Sequence, residues 1–259
     1  MAKSKIEWTD YTINPISGCY GAIGKDGVRR QCPYCYAKAT AENERMNRAF
    51  PERFELVYHP DRLKQFSAIK QPSLIFVDSM SDLFGDGVRP EWVEEIFAAM
   101  NNANHHIYQI LTKNPERINE LVTGEMFGSH IWLGVSVDTA WGCKRISELQ
   151  KVPQFNKFIS FEPLLEPMPN NLDLDQIKWI IIGQQTKPFN NPPEDWVLDI
   201  LYQSIYKGGS IPYFVKNNLL DRNYPVSPDS SHFQKYPKAM QTLISGRGVV
   251  QATINVSGS

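Results

Sequence analysis

Residues 73–82 read SLIFVDSMSD, a short apolar run that is followed at once by polar and acidic side chains. Similar apolar runs recur at residues 106–111, 131–135, 157–161, 178–182 and 211–215, and another strand is expected near residues 12–16. Runs this short, rich in Ile, Val, Phe and Tyr and nearly continuous in hydrophobicity, are typical of strands that are covered on both faces. The pattern therefore predicts a parallel sheet.

Segments with a helical spacing of apolar residues lie between these runs. Pro90 suits the first turn of one such helix. The buried face of this helix would carry Trp92, Val93, Ile96, Phe97 and Met100. Further helices are expected at residues 33–46, 138–149 and 193–206, and after Asn114, a candidate N-cap. The alternation predicts an α/β fold of six or seven β-α units in series. Such a series favours a partial or full (β/α) barrel over two separate domains.

The chain changes character after about residue 218. Residues 221–237 are rich in Pro, Ser and Asp and show no hydrophobic period. We expect residues 1–218 to form the barrel and residues 219–259 to form an irregular C-terminal extension of the same domain.

The composition excludes several classes of protein. With 42% hydrophobic and 21% charged residues, the chain is typical of a globular protein and not of a disordered one. No apolar run reaches the roughly 18 residues of a membrane span, so no membrane partner is expected. The first residues lack the apolar core of a secretory signal, which predicts a cytoplasmic protein with reduced cysteines. The net charge of -1 gives no overall electrostatic case for binding nucleic acid.

Polar side chains follow nearly every predicted strand. Because the carboxyl ends of parallel strands meet at one edge, these side chains are expected to line one pocket. Asp78 and Asp82 have an alternative interpretation as a turn residue and a helix cap. The candidate binding residues at this edge are Asp78, Ser79, Ser81, Lys113, Ser136, Glu162, Gln184 and Lys216.

Three of the four cysteines, Cys19, Cys32 and Cys35, follow the first predicted strand with the spacing C-x12-C-x2-C. Three thiolates suit a [4Fe-4S] cluster that keeps one iron open for a small molecule. One alternative is a structural zinc site, which needs Cys143 or a histidine as a fourth ligand. Another is an iron–sulfur centre that only transfers electrons. Cys143 by itself is typical of a small buried apolar residue.

The cysteine loop resembles that of the radical S-adenosylmethionine (radical SAM) superfamily, whose motif ends in Cys-x-aromatic-Cys, here Cys32-Pro33-Tyr34-Cys35. More closely, about residues 5–218 resemble a phage-borne family of unknown substrate that is itself radical-SAM-like. The motifs that carry this resemblance are EWTD at residues 7–10, NP at 14–15, GC at 18–19, CYA at 35–37, DSMSDLF at 78–84, LTKNPER at 111–117, WLGVSV at 132–137 and FEPLL at 161–165.

The resemblance implies an enzyme that binds a [4Fe-4S] cluster through its three motif cysteines. The open iron would chelate S-adenosyl-L-methionine (SAM), and one electron from an external donor would release methionine and a 5′-deoxyadenosyl radical. Tyr34 would lie near the adenine, the polar residues after the strands would contact the rest of SAM, and Lys113 and Lys216 would face its carboxylate or an anionic substrate. A nucleic acid or nucleotide is the suggested substrate, with a contact surface at Lys25, Arg29, Arg30 and residues 216–222.

The chain departs from the resemblance at two places. The gap after Cys19 is longer than is usual in the superfamily, but a glycine-bearing insert can loop out at a small entropic cost. Residues 183–187 read GQQTK and lack the Gly-Glu-Ser-Gly that is associated with the phage-borne family. This second departure affects whichever ligand contact or acid–base role that glutamate serves.

Overall fold

The computed structural model describes residues 3–46, 50–154, 156–185, 192–207, 209–220 and 234–245. The strands are β1 (Tyr11–Ile13), β2 (Ile16–Ser17), β3 (Ala22–Ile23), β4 (Arg29–Arg30), β5 (Val57–Tyr58), β6 (Leu74–Val77), β7 (Ile107–Thr112), β8 (Ile131–Ser136), β9 (Lys157–Phe161), β10 (Ile177–Ile182) and β11 (Tyr213–Val215). The α-helices are α1 (Tyr36–Ala41), α2 (Lys64–Ala68), α3 (Pro90–Asn102), α4 (Ile118–Leu121), α5 (Lys144–Gln150), α6 (Glu194–Tyr202), α7 (Asn217–Leu220) and α8 (Lys238–Ser245).

Seven strands form one parallel sheet in the order β1-β6-β7-β8-β9-β10-β11. The sheet is curled into a half-barrel and alternates with helices, which confirms the predicted partial barrel. Two small antiparallel pairs lie outside this sheet: β2 with β5, and β3 with β4. The pair β3–β4 is a hairpin within the insert that separates Cys19 from Cys32. No described helix has both the length and the apolar character that a membrane crossing needs.

Both faces of the sheet are covered, which explains why its strands are continuously hydrophobic. On one face, residues such as Ile75 and Val77 pack with residues of the surrounding helices, including Val93 and Ile146. Because side chains alternate along a strand, the other residues of the same strands lie on the opposite, inner face. The cluster on this inner face consists of Trp8, Leu74, Phe76, Ile107, Trp132, Phe158, Trp179, Ile181, Phe214 and Met240.

The segment 234–245 covers part of the inner face. Met240 of α8 is fully buried in the inner cluster, and the indole N–H of Trp179 donates to the backbone oxygen of Lys235 at 3.0 Å. The ring of Tyr236 lies 5.6 Å from that of Trp179. This part of the expected irregular extension therefore includes a helix that packs onto the barrel. Residues 221–233 and 246–259 lie outside the described residues.

The helices differ from the sequence pattern at both ends. Pro90 begins α3 as predicted. The helix expected over residues 33–46 is shorter at both ends: it begins after its N-cap, Cys35, whose sulfur accepts the backbone N–H of Lys38, and it ends at Ala41. The helix expected from Asp138 begins only at Lys144, after a 3-10 turn at Ala140–Cys143. Asp138 lies outside that helix because its side chain is engaged in tertiary contacts, described below.

Gly134 of β8 generates a test of packing on the inner face. A β-carbon there would lie 2.5 Å from the ring of Phe158, which is fully buried and has no room to move. We expect Gly134→Ala to lower the free energy of unfolding by about 1–3 kcal/mol through overpacking. Gly124→Ala is the matched control, because a β-carbon there meets nothing within 4 Å. Urea denaturation measures both, and equal stabilities of the two variants would contradict the packing described here.

Candidate functional site

The carboxyl ends of the strands bring several predicted polar residues to one rim of the inner face. Lys113, Glu162 and Lys216 directly follow β7, β9 and β11, and Ser136 ends β8. Each lies an even number of residues beyond an inner-cluster residue of its own strand, so the alternation of side chains directs it to the same face. The structure thus brings together candidates that are distant in sequence.

Cys19 lies in a tight loop that crosses the rim next to the end of β6. The N–H of Gly18 donates to the backbone oxygen of Met80 at 3.1 Å. Gly18 has a φ of 79°, and a β-carbon there would lie 2.0 Å from the backbone oxygen of Glu55, so only glycine fits. The N–H of Gly21 then donates to the sulfur of Cys19 at 3.1 Å.

Cys32 and Cys35 lie at the start of α1. The N–H of Cys35 donates to the backbone oxygen of Cys32 at 3.1 Å, and the sulfur of Cys35 accepts the N–H of Lys38 at 3.4 Å. Two of the three motif sulfurs therefore already accept a backbone N–H, an arrangement that favours a negatively charged sulfur. Among the described residues, no group of three or more His, Cys, Asp or Glu side chains is arranged to hold a single metal ion.

The three cysteines lie close enough to influence one another electrostatically. Burial and the charge of Asp82 raise the pKa of Cys19 to about 12, with smaller contributions from Cys32 and Cys35. Burial also raises the pKa of Cys35, although the N–H of Lys38 opposes the shift. Both thiols are thus protonated at neutral pH, and any metal that binds them must displace these protons.

Tyr34 is fixed by a cluster of charged groups that includes Lys113. Its hydroxyl donates to Oδ2 of Asp138, and a guanidinium nitrogen of Arg145 donates to Oδ1 of Asp138 and to the backbone oxygen of Ser136, both at 2.9 Å. The Lys113 ammonium lies 5.3 Å from the centroid of the Tyr34 ring. Burial opposes ionisation of Asp138, but the charges of Lys113 and Arg145 outweigh it and hold the pKa of Asp138 below its ordinary value. Sequence reasoning missed Asp138 because it assigned this residue to a helix.

Asp78 and Ser79 lie where β6 ends. Asp78 is buried with a φ of 59°, and its Oδ1 accepts the N–H of Ile16 at 2.8 Å. Burial raises the pKa of Asp78 to about 8, although the bond from Ile16 opposes the shift. The hydroxyl of Ser79 donates to Oδ1 of Asn14 at 3.0 Å. Ser81 lies beside Gly18, with which it forms an isolated parallel bridge. Asp78, Ser79 and Ser81 thus lie next to the Cys19 loop.

Asp82 and Asn114 have roles that differ from the capping roles predicted for them. Oδ1 of Asp82 accepts the hydroxyl of Thr112 at 2.6 Å, and Oδ2 accepts the N–H of Lys113 at 2.9 Å and the side-chain amide of Asn114 at 2.8 Å. Asn114 makes no capping bond with its side chain and is fully buried. Asn114 therefore occupies the predicted N-cap position, before the 3-10 turn Pro115–Arg117, but its side chain bonds to other elements and not to its own turn.

Glu162 and Lys216 form an ion pair next to Gly183. The ammonium of Lys216 donates to Oε1 of Glu162. A β-carbon on Gly183 would lie 2.8 Å from Cδ of Lys216 and 2.9 Å from Cδ of Glu162, so the glycine makes room for the pair. Gln184 is buried, and its backbone oxygen accepts the side-chain amide of Asn218 at 3.2 Å. Thr186 and Lys187 of the same loop lie outside the described residues.

The fourth cysteine and the two arginines of the insert, Arg29 and Arg30, are engaged elsewhere in the protein and do not join the three motif cysteines. Cys143 packs against the main core, with its sulfur 3.6 Å from that of Met168. Arg30 pairs with Asp26 within the hairpin. Arg29 donates to Oδ1 of Asn114 at 2.8 Å. Both arginines predicted to contact an anionic substrate are therefore engaged by this chain's own side chains. Lys25 is exposed, and residues 221–222 of the predicted contact surface lie outside the described residues.

Comparisons with known proteins identify a family and a fold. A family model described as "Protein of unknown function (DUF5131)" matches residues 3–221, so the chain belongs to that family. No curated protein matches the chain. It is similar to a solved mutant of spore photoproduct lyase, with a TM-score of 0.55 and 12% identity over 83% of this chain and 78% of the other.

Two further structures of spore photoproduct lyase match with the same identity and coverage. One is a mutant with bound AdoMet and dinucleoside spore photoproduct, with a TM-score of 0.53. The other is a complex with dinucleoside spore photoproduct, with a TM-score of 0.52. At this identity the similarity establishes a shared, radical-SAM-like fold.

The raised pKa of Asp78 predicts how the stability of the protein depends on pH. Between about pH 4 and pH 8 the folded protein binds a proton at Asp78 that the unfolded chain has released, since the pKa moves from 3.8 to about 8 on folding. Stability conferred by this group is therefore present at low pH and is lost as pH rises through that window. Asp78→Asn keeps an acceptor for Ile16 and tolerates the positive φ. We expect the variant to match the wild type near pH 4 and to exceed its free energy of unfolding by more than about 1 kcal/mol near pH 8.

Asp61→Asn, which removes one exposed carboxylate, is the control for this comparison. Denaturant titrations of the metal-free protein at several pH values supply the measurement. A constant difference between Asp78→Asn and wild type from pH 5 to pH 8 would show that Asp78 titrates normally.

Proposed function

We propose that this member of the DUF5131 family is a radical SAM enzyme that holds a [4Fe-4S] cluster on Cys19, Cys32 and Cys35. The observation that carries this proposal is the position of the three cysteines. They lie at the rim of a parallel half-barrel, beside polar inner-face residues, on a fold shared with an enzyme solved with bound AdoMet. The enzymatic nature of the structural neighbours supports an enzyme of this superfamily.

The donor set fits such a cluster. Thiolates are the usual protein ligands of iron–sulfur clusters, and backbone N–H bonds to their sulfurs stabilise the charge that they carry. The sulfurs of Cys19 and Cys35 accept such bonds from Gly21 and Lys38. A closed zinc site needs a fourth ligand. Cys143, the only other cysteine in the sequence, lies against Met168 in the main core, which disfavours that alternative.

A cluster held by Cys19, Cys32 and Cys35 would supply the electron that cleaves the sulfonium of SAM to methionine and a 5′-deoxyadenosyl radical. In this proposal the chain's own residues bind and orient SAM at the inner rim. Lys113 and Lys216 provide positive charge for a carboxylate, and Ser79, Ser81, Ser136 and the Gln184 loop provide polar contacts. Tyr34, held by Asp138 and Arg145, provides a fixed aromatic surface for the adenine.

Asp78 is suited to respond to a cationic group of the ligand. Its pKa of about 8 means that its carboxyl group is largely protonated at neutral pH in the empty site. An ammonium or sulfonium group placed nearby would favour the ionised form, so that binding of the cation would be coupled to release of a proton. Glu162 is already ionically paired with Lys216 and would orient that lysine.

For the substrate we propose a nucleic acid or nucleotide. The support is the neighbour that is solved with a dinucleoside photoproduct on the same fold. Because Arg29 and Arg30 are engaged by Asn114 and Asp26, and Lys216 is paired with Glu162, the positive charge for such a substrate would come mainly from Lys113 at the rim. The proposal also includes an external electron donor and a reducing cytoplasm. The phage origin of the family stays a prediction.

Cysteine replacements test the cluster. After anaerobic reconstitution with iron and sulfide, we expect Cys19→Ala, Cys32→Ala and Cys35→Ala each to lose the cluster, since each removes one of three ligands. Cys143→Ala, the matched control, should retain it. Iron and sulfide analysis, electron paramagnetic resonance and chromatography of 5′-deoxyadenosine supply the measurements. A colourless protein with stoichiometric zinc would support a structural zinc scaffold. A cluster whose electron paramagnetic resonance spectrum does not change when SAM is added would support simple electron transfer.

Isotope transfer tests the substrate class. We expect a deuterated nucleotide or oligonucleotide pool to transfer deuterium into 5′-deoxyadenosine in the presence of SAM and a low-potential reductant, because the radical abstracts hydrogen from its substrate. Deuterated peptide and metabolite pools are the controls. Mass spectrometry of 5′-deoxyadenosine measures the transfer, and label arriving only from peptides or metabolites would refute a nucleotide substrate.

A further inference from the structure

The insert between Cys19 and Cys32 is tied to the barrel mainly through Arg29. Arg29, on β4 of the hairpin, donates from the same guanidinium nitrogen to Oδ1 of Asn114 at 2.8 Å and to the backbone oxygen of Gly21 at 2.9 Å. Its Nε also lies 3.6 Å from Oδ2 of Asp86. Arg29 is largely buried, whereas its neighbour Arg30 is exposed and bonds only within the hairpin, to Asp26.

Asn114 is the anchor on the barrel side of this contact. It is fully buried just after β7, and its amide is held by Oδ2 of Asp82 at 2.8 Å while its backbone N–H donates to the hydroxyl of Thr112 at 2.9 Å. The same amide also lies 3.4 Å from the backbone oxygen of Gly21. A side chain with this many fixed bonds has little freedom to move, so it presents a rigid acceptor to Arg29.

Gly21 connects this anchor to Cys19. Its backbone oxygen is held by Arg29, and its N–H donates to the sulfur of Cys19 at 3.1 Å. Gly21 has a φ of 81°, and a β-carbon there would lie 1.8 Å from the backbone oxygen of Arg30, so the loop packs directly on the hairpin. The oxygen and the N–H of Gly21 belong to neighbouring peptide groups joined at its Cα, so holding the oxygen restricts the rotations that would turn the N–H away from the sulfur.

A second connection runs from Cys19 to the helix that begins after Cys35. The side-chain amide of Gln31 donates to the backbone oxygen of Cys19 at 3.2 Å, and the ammonium of Lys38 donates to Oε1 of Gln31 at 2.6 Å. The backbone N–H of Lys38 also donates to the sulfur of Cys35. The insert thus links Cys19 both to the barrel rim and to α1.

We propose that Arg29 and Asn114 are positioning residues for the sulfur of Cys19, and that the insert is a brace which aims the Gly21 N–H at that sulfur. The sulfur's role as a cluster ligand rests on the proposed function. The brace itself is a property of the metal-free chain and is tested separately. In a loaded protein, loss of this N–H bond would leave the sulfur more electron-rich and lower the reduction potential of the cluster, since hydrogen bonds to the sulfurs set that potential.

Amide hydrogen exchange of the metal-free protein tests the brace. In Arg29→Ala and Asn114→Ala we expect the Gly21 amide to exchange about tenfold faster than in wild type, because loss of a bond to a charged group releases the Gly21 carbonyl. Arg30→Ala, adjacent on the same hairpin but bonded only to Asp26, should leave the rate unchanged. Arg29→Lys retains the charge with a single donor group and should fall between wild type and Arg29→Ala. If Arg29→Ala does not fold, Arg29→Lys replaces it in the comparison with Arg30→Ala.

Redox titration of reconstituted protein tests the effect on the ligand. We expect a lower midpoint potential in Arg29→Ala than in Arg30→Ala at equal iron content, with Arg29→Lys restoring part of the difference. Equal Gly21 exchange in Arg29→Ala and Arg30→Ala would overturn the brace. Faster exchange with an unchanged potential would overturn the positioning of a ligand sulfur. A wild type that assembles no cluster would refute the proposed function, and the exchange measurement would still decide the brace.

Discussion

The parallel alignment of seven strands, covered on both faces, is the constraint on which the rest of the structure depends. Each strand directs alternate residues to the inner face, where large apolar side chains such as Trp132, Phe158 and Trp179 fill the body of the half-barrel. A polar group in that body costs free energy unless it finds a partner, whereas at the end of a strand backbone N–H groups and other side chains are available. Polar side chains are therefore concentrated at the rim, and Gln109, which is buried within the body, donates to the backbone oxygen of Trp8 at 3.2 Å.

Two carboxyl groups at this rim have pKa values shifted in opposite directions. Burial dominates at Asp78 and raises its pKa to about 8, whereas the charges of Lys113 and Arg145 outweigh burial at Asp138. Asp138 is therefore ionised and bound to Tyr34, and its charge is already committed to the protein. Asp78, by contrast, is largely protonated at neutral pH, and its pKa of about 8 is near enough for a neighbouring charge to change its ionisation. Of these two groups, Asp78 is the one whose ionisation a cationic ligand would change.

The sequence predicted the sheet well and the contacts between its loops poorly, for a physical reason. A strand that is covered on both faces has a local signature, so β6 and β9 could be recognised from a few residues each. Contacts such as Arg29 with Asn114, or Tyr34 with Asp138, join residues far apart in sequence and have no local signature. The position of Asn114 before a proline therefore predicted an N-cap correctly but did not show that its side chain bonds to Asp82 and Arg29.

The candidate site divides in the same way. The three cysteines and the polar residues after the strands could be identified, because their residue types and their place after a strand are visible in the sequence. The pairing of Glu162 with Lys216 beside Gly183 could not, because it depends on the register of three strands. The same holds for the opposite pKa shifts of Asp78 and Asp138, which are set by neighbours from other loops.

The length of the gap between Cys19 and Cys32 suggests a flexible insert, but the structure shows that side-chain bonds hold the two ends of the gap together. A flexible insert is cheap in entropy because loop closure depends only weakly on length. That same flexibility would leave Cys19 free to move relative to Cys32 and Cys35. The bonds from Gln31 to Cys19 and from Lys38 to Gln31 remove this freedom by connecting the two ends of the gap through a few side chains. The spacing of the cysteines in sequence is therefore a poor measure of how firmly they are held, and the contacts that close the insert are the better one.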